Sequence, residues 1–243
     1  MKKTFLTIDD SPSPQMKEKV DFLVKNGIPA IFFCIGEKME AFPEMVKYAI
    51  QNGFAIGNHS YNHPHFSTIS FAEIKAQIVQ TEAILDDLFA QAGKRRIKYF
   101  RFPYGDKGDG LKGQLSSFWR KANHKKKSEI QIFLKQQGFV APPLLGAHYS
   151  FYEKANFHVD IDWHWTFDTI DYSESMTDDE ILTRLRNPHP HNPLKRRMKE
   201  DYWISAKEKS EIVLLHDYEG KHELFFKIVK ELQQLPLVFQ NFS

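Results

Sequence analysis

The chain has 243 residues, 42% of them hydrophobic and 26% charged, and its 33 basic and 31 acidic side chains leave a formal charge of +2. This composition fits a globular protein and excludes a disordered or collagen-like one, no run nears the ~20 apolar residues of a membrane span, and the charge balance gives no general pull toward nucleic acid or membrane. One cysteine (Cys34) against eleven histidines excludes a disulfide framework and a Cys-rich zinc cluster, so any metal must be held by His and carboxylate.

Short apolar runs alternate with helical periods along the chain. Thr4–Ile8 is strand-like and runs into Asp9-Asp10. Ser13-Pro14 offers an N-cap and a first-turn proline for a helix carrying Met16, Val20, Leu23 and Val24, closed by Gly27. Residues 30–35 form a continuous apolar run, as in a strand buried on both faces. A short helix over 43–53 precedes a third strand at 54–57. Ser70 and Glu73 have capping-box spacing at the head of a long helix ending near Gly93. Residues 99–102 read as the next strand.

The middle is less regular. Residues 106–127, rich in Gly and Lys, read as an exposed insertion, followed by a helix over 128–137 and a strand-like 164–167. Thr177 and Glu180 again have capping-box spacing. Residues 187–199 carry three prolines and a basic run and read as a surface loop. A strand at 211–215, a helix at 221–234 and a last strand at 237–242 complete the pattern. Strands separated by helices argue for βα units around a parallel sheet.

Polar residues recur at the strand exits: Asp9-Asp10, His59 and His63, Arg101 with Tyr104, Asp168 and Asp171, and His216-Asp217. In parallel α/β architectures these carboxyl ends converge on one face, where sites are built. His59 and His63 are spaced to share a metal, although on spacing alone each is more often a surface or core histidine. Two His and one Asp would leave positions open for water and substrate, as a catalytic zinc site requires, and the same set serves non-haem iron enzymes. Adjacent carboxylates point in different directions on extended backbone, so one can bind metal while the other acts as a base; local sequence alone also fits a plain Asp-Asp-Ser-Pro turn. Arg101 either holds the second carboxylate ionised or is an ordinary surface cation.

Five segments together resemble the motifs of the NodB-homology polysaccharide deacetylases, carbohydrate esterase family 4. They are Thr7-Ile8-Asp9-Asp10-Ser11-Pro12, Asn58-His59-Ser60-Tyr61-Asn62-His63-Pro64, Arg101-Phe102-Pro103-Tyr104, Asp168-Thr169-Ile170-Asp171-Tyr172 and Leu214-Leu215-His216, in the family's order. The resemblance implies an α/β fold, a distorted (β/α) barrel of about seven strands, with residues 1–243 as one catalytic domain bearing an insertion around 106–160. It implies a divalent metal, zinc first and cobalt as an alternative, on Asp10, His59 and His63. By the same resemblance Asp9 is the base acting on metal-activated water and Arg101 positions it. The Tyr104 backbone N–H supports the oxyanion, His216 is the acid oriented by Asp171, and Leu214 and Tyr172 line the substrate site.

The expected activity is hydrolysis of acetyl groups from N-acetylated sugars of a poly- or oligosaccharide. O-acetyl ester cleavage or another amide hydrolysis on the same site, and a non-catalytic sugar-binding protein, are the alternatives. The expected partner is an acetylated carbohydrate, with no nucleic acid and no membrane. Ser11 stands where the family has Gly, and Tyr172 where it has Trp. The start, basic at Lys2-Lys3 with its apolar run broken at once, lacks the ~7 or more apolar residues of a signal peptide. A cytoplasmic protein is therefore expected, or an extracytoplasmic one if a leader was removed. The runs at Lys125–Lys127 and 195–197 read as solvated faces, 189–191 as surface, Trp163 and Trp165 as core rather than sugar platforms, and Cys34 as inert core.

Overall fold

The computed structural model describes residues 2–110, 124–143, 157–186 and 210–242. The loop expected at 187–199, with its histidines and basic run, and most of the insertion lie outside the described residues. The elements run β1 (Lys2–Ser11), α1 (Met16–Lys25), β2 (Ala30–Cys34), α2 (Gly36–Ala41), α3 (Pro43–Gln51), β3 (Ala55–Asn58), α4 (Phe71–Gln91), α5 (His124–Gln136), β4 (Phe167–Asp168), α6 (Asp178–Arg186), β5 (Ser210–His216), α7 (His222–Gln233) and β6 (Leu237–Phe239). The strands form one parallel sheet in the order β3-β2-β1-β5-β4, with β6 paired to the start of β1.

Residues 99–102, expected as a strand, form no ladder. They continue the sheet by single contacts: Asn58 N–H donates to Tyr99 O at 2.8 Å and Arg101 N–H to Asn58 O at 3.1 Å. Beyond them Val140 N–H donates to Lys98 O at 3.0 Å. Across the open side, Trp163 N–H donates to Phe100 O at 2.8 Å, and Thr166 N–H to Ile212 O at 3.0 Å. The segment 163–168 thus spans the two edges, in the arrangement of a distorted barrel with weak seams.

Side chains alternate between the two faces of each strand. Leu6 and Ile8, Ala30, Phe32 and Cys34, and Val213 and Leu215 join the large core under the helices, with Val20, Leu23, Leu85, Ile228 and Leu232. Their neighbours Phe5, Ile31, Phe33, Tyr99 and Ile212 face the other way and pack around the buried Trp163. The inner parity, continued along the chain, selects Thr7 and Asp9, Arg101, and Leu214 and His216. The chemistry-bearing residues are the last rungs of the inner face. A third cluster (Phe66, Ile74, Ile78, Phe100, Phe102, Ile130, Leu134 and Phe139) seats α4 and α5 against the histidine loop.

Local signals account for most boundaries. The α4 capping box is complete: Glu73 N–H donates to Ser70 Oγ at 3.2 Å and Ser70 N–H to Glu73 Oε2 at 2.7 Å. The equivalent bonds join Thr177 and Glu180 before α6. Ser13, expected as the N-cap, is not the residue flanking α1, which starts at Met16; its hydroxyl accepts the Gln15 N–H at 3.2 Å and donates to Asp217. The expected exposed insertion is also corrected at both ends. Asp106, Lys107 and Asp109 are buried, and residues 124–127 already belong to α5. Nor is Lys125–Lys127 simply a solvated face: Lys126 Nζ donates to the carbonyls of Phe66 and Ile69, and Lys127 pairs with Asp160 at 2.8 Å. Among the described residues no helix is long and apolar enough to cross a membrane.

Candidate active site

The two carboxylates at the exit of β1 reach one place because the strand is irregular there. Its pairing with β2 steps from Ile8–Phe32 to Ser11–Cys34, three residues against two. Such an extra residue re-aims a side chain, and Asp10 takes it up at φ +61°. On regular extended backbone Asp9 and Asp10 would diverge. Here Asp9 Oδ2 lies 3.7 Å and Asp10 Oδ1 3.5 Å from His59 Nε2.

His63 completes the cluster, with Nε2 3.1 Å from Asp10 Oδ1 and 3.2 Å from His59 Nε2. The two histidines meet because Ser60 and His63 both adopt positive φ, folding the loop back after β3, and Ser60 Oγ accepts the His63 N–H at 3.1 Å. Asn58 anchors the loop, its Nδ2 donating to Ile78 O and Glu82 Oε1 and its Oδ1 accepting the Ser60 N–H. Every non-glycine residue with positive φ among the described residues (Asp10, Ser60, His63, Tyr104 and Ile170) lies in one of the five motifs. Backbone of this kind costs free energy and concentrates at functional sites.

The donor set fits a divalent cation. His59 Nδ1 lies 2.9 Å from the main-chain O of Arg101, so in the neutral ring Nδ1 carries the proton and Nε2 offers its lone pair. Burial lowers the pKa of His63 despite the neighbouring Asp10, which favours the neutral form of this ring. Burial alone would raise the Asp10 carboxyl, but the charge and hydrogen bonds of the two imidazoles when protonated outweigh it and hold it well below the usual carboxylate range. Asp10 Oδ1 is buried and without a hydrogen bond. Two lone pairs and an unsatisfied carboxylate oxygen, all within 4.8 Å of one another, form an arrangement that a cation resolves.

Asp9 is held from the other side. Arg101, 1% exposed, donates from Nη1 to Asp9 Oδ1 at 2.8 Å and to Thr7 Oγ1 at 2.7 Å, and from Nε to Trp163 O at 2.5 Å. Its guanidinium sits 4.5 Å over the Phe33 ring. Arg101 is therefore no surface cation. Tyr104 follows in a 3-10 turn at Pro103–Gly105, whose bonds are donated by Gly105 and Asp106, so its own N–H takes no part in them. The Tyr104 ring, 54% exposed, stacks on His65 and meets His63 edge-on.

His216 and Asp171 form the third group. His216 Nδ1 donates to Asp171 Oδ1 at 2.8 Å, and the His216 backbone N–H to Oδ2 at 2.9 Å. Thr169 Oγ1 donates to the same Oδ1, and Lys221 Nζ to the Asp171 and Ser173 carbonyls, fixing the loop. Burial would lower the His216 pKa, but Asp171, through charge and hydrogen bond, with Asp9 and Asp10 adding, raises it to about 9. Asp168 takes a different part: it caps its own turn by accepting the Ile170 N–H at 2.8 Å. Tyr172, 44% exposed, stands edge-on to His216 at 5.1 Å. Leu214 is buried, one rung below His216 on the inner face.

Two residues here escape sequence reasoning. Tyr218 stacks on His216 at 5.2 Å, and burial, followed by the charge of Asp10 and a bond to it, pushes its hydroxyl pKa up. Asp217, visible in the sequence only as one more acidic residue at a strand exit, is buried against Lys19. Its partners come from distant parts of the chain, and no local pattern announces them.

Comparison with known proteins agrees with this architecture. The polysaccharide deacetylase family profile matches residues 1–118. The chain is 39% identical over 102 residues to a peptidoglycan-N-acetylglucosamine deacetylase of Bacillus cereus (42% of this chain, 36% of that protein). It is 30% identical over 102 residues to a chitooligosaccharide deacetylase of Azorhizobium caulinodans (42% and 47%). It thus spans less than half the length of the curated relatives it matches. Among solved structures, the Bacillus subtilis peptidoglycan deacetylase PdaC superposes with a TM-score of 0.62 at 21% identity, covering 100% of this chain and 88% of that one. A family 4 carbohydrate esterase from Streptomyces lividans gives 0.60 at 19%, covering 100% and 93%. Residues 1–118 thus carry the sequence pattern of the polysaccharide deacetylase family, and the fold of the chain is the NodB fold of these structural neighbours.

Proposed function

We propose that this chain is a metal-dependent deacetylase that releases acetate from N-acetylated sugar units of a glycan of the peptidoglycan or chitin type. The observation that carries the reading is the convergence of Asp10 Oδ1, His59 Nε2 and His63 Nε2 beside an Asp9 carboxylate held by Arg101. A divalent cation held by Asp10, His59 and His63, zinc first among candidates, supplies Lewis acidity and lowers the pKa of water toward neutrality.

The side chains divide the proton work. Asp9, with Oδ1 tied to Arg101, has Oδ2 free to take a proton from the attacking water. As the water oxygen bonds to the amide carbon, charge builds on the carbonyl oxygen, and the Tyr104 N–H is the candidate donor to it. Cleavage of the C–N bond then needs a proton on the leaving nitrogen. His216, kept protonated at neutral pH by Asp171, gives it from Nε2. Acetate and a free amine result. Tyr104, beside His63, and Tyr172, beside His216, are exposed rings suited to sugar faces, and Leu214 is the residue assigned to the acetyl methyl.

The alignment ends at residue 118, yet Asp171 and His216 come from later segments of the same fold. The catalytic domain is therefore taken to run through the whole chain. Acetate release from N-acetylglucosamine oligomers and from acetylated xylan, with added zinc or cobalt and with a chelator, tests the reading. Metal-dependent release from the N-acetylated oligomers is expected. Release from xylan alone would reassign the substrate, and no release with no bound metal would refute the activity.

A further inference from the structure

We propose that the buried pair Lys19–Asp217 is a positioning device that ties the strand exit bearing Asp9 and Asp10 to the exit bearing His216, and so sets base, metal ligand and acid in one geometry. The proposal rests on the roles proposed above. Neither residue faces the substrate: Asp217, the first residue beyond β5, continues the outer parity, opposite to His216, and both side chains are 0% exposed.

The Asp217 carboxylate is fully engaged. Oδ2 accepts the Ser13 backbone N–H at 2.7 Å, and Oδ1 accepts the Ser13 hydroxyl at 2.6 Å together with Lys19 Nζ. The Asp217 N–H donates to Asp9 O at 2.9 Å, and Lys19 Nζ also donates to Tyr218 O at 3.2 Å. These bonds staple both ends of segment 9–13, which contains the irregular Asp10, to Asp217. They also join that assembly to α1 through Lys19.

Stability alone is a poor account of the pair. Removing two charges from water costs about as much as their attraction returns, and apolar residues of equal volume often serve as well. Apolar residues would not, however, hold the Ser13 N–H, the Ser13 hydroxyl and the Tyr218 carbonyl in fixed directions.

The test measures kcat, KM, thermal midpoint and zinc affinity (by chelator competition) for the full chain and its Asp217→Asn, Ser13→Ala and Lys19→Met variants, with Asp9→Asn and His216→Ala as references. Asp217→Asn is expected to lower kcat about 10–100-fold and weaken zinc binding about tenfold, with KM within about threefold of wild type. Ser13→Ala removes one bond of the set and should cost about fivefold in kcat; it decides the matter if Asp217→Asn does not fold. Variants with lowered midpoints but wild-type kcat and zinc affinity would overturn the proposal. Inactive Asp9→Asn and His216→Ala beside fully active Ser13→Ala and Asp217→Asn would refute only the positioning role. Fully active reference variants would refute the site reading instead. Should the wild type release no acetate, unchanged zinc affinity in Asp217→Asn and Ser13→Ala overturns the proposal and a tenfold loss sustains it.

Discussion

Asp9 on β1 and His216 on β5 are register partners in neighbouring parallel strands, and both have the inner parity. Neighbouring strands lie ~4.8 Å apart. The residues proposed as proton acceptor and proton donor therefore flank one gap through strand register, with no long loop needed to bring them together. The acceptor is aimed by Arg101 and the donor by Asp171, each from a different strand exit.

Asp9→Asn is expected to separate chemistry from metal binding. The amide is nearly isosteric, its oxygen still accepts from Arg101, and Asp10, His59 and His63 are untouched. Zinc content should stay at wild-type level while kcat falls about 10²–10⁴-fold, the usual worth of a general base. His59→Ala and His63→Ala should instead lose zinc and activity together. Metal analysis beside acetate release checks both, and an Asp9→Asn protein of full activity would remove Asp9 from the mechanism.

Asn58→Ala should affect both stability and metal binding. The side chain satisfies the Ile78 carbonyl, Glu82 and the Ser60 N–H in a fully buried place. Its loss leaves the buried Ser60 N–H unpaired, at about 1–3 kcal/mol, and removes two further bonds at about 1 kcal/mol each from Glu82, which keeps Arg96, and the Ile78 carbonyl. A net destabilisation of about 2–4 kcal/mol is expected, on the same basis with partial relaxation. Because Ser60 links the two histidines, zinc affinity should fall about tenfold as well. Denaturant unfolding and chelator competition measure the two effects separately.

Much of this was legible in the sequence, and the reasons for what was not are specific. Thr4–Ile8 and Ala30–Ile35 announce themselves as strands because a strand covered on both faces must be apolar throughout, and Ser70 with Glu73 announces α4 because a capping box is local. Motif order alone groups Asp9, Asp10, His59, His63, Arg101, Asp171 and His216. The extra residue at Asp10 is invisible in sequence because it is defined against β2, a different segment. The same holds for Lys126 on the Phe66 and Ile69 carbonyls, and for Lys107 between Asp160 and Asp162. A lysine-rich run reads as solvated whenever its partners are distant in sequence. Ser13 shows the converse: a good cap residue taken up by a stronger, remote acceptor.

Gly57→Ala probes the floor of the site. A Cβ at Gly57 would stand 2.5 Å from Phe33 Cδ1 and 3.2 Å from Tyr99 O. The Phe33 ring is buried in the inner core and carries the Arg101 guanidinium on its face, so it has little room to yield. Overpacking of this kind costs about 1–3 kcal/mol. The variant should lose that much stability and also some kcat, through displacement of Arg101 and with it Asp9. Unfolding and steady-state kinetics on the same preparation check this, and a variant stable and active as wild type would show the contact to be soft.

The pH dependence of His216 follows from its surroundings. Burial works against the imidazolium, but Asp171 in contact, with Asp9 and Asp10 farther off, raises the folded-state pKa to about 9 from the ordinary 6.5. A raised pKa means that protonation favours the folded form. This contribution to stability is complete below pH 6.5 and is lost as pH climbs from there through about 9. The proton that His216 is proposed to give the leaving nitrogen disappears over the same upper range. In metal-free protein the His216 ring signal in NMR should titrate near 9, and in Asp171→Asn its midpoint should fall by at least one unit, about 1.4 kcal/mol of lost interaction. In the zinc-loaded enzyme the cation offsets the charges of Asp9 and Asp10, so the alkaline limb of kcat is expected below the midpoint of the metal-free ring. An alkaline limb unmoved by Asp171→Asn, with the ring titrating near 6.5 in both proteins, would show that Asp171 does not hold the proton on His216.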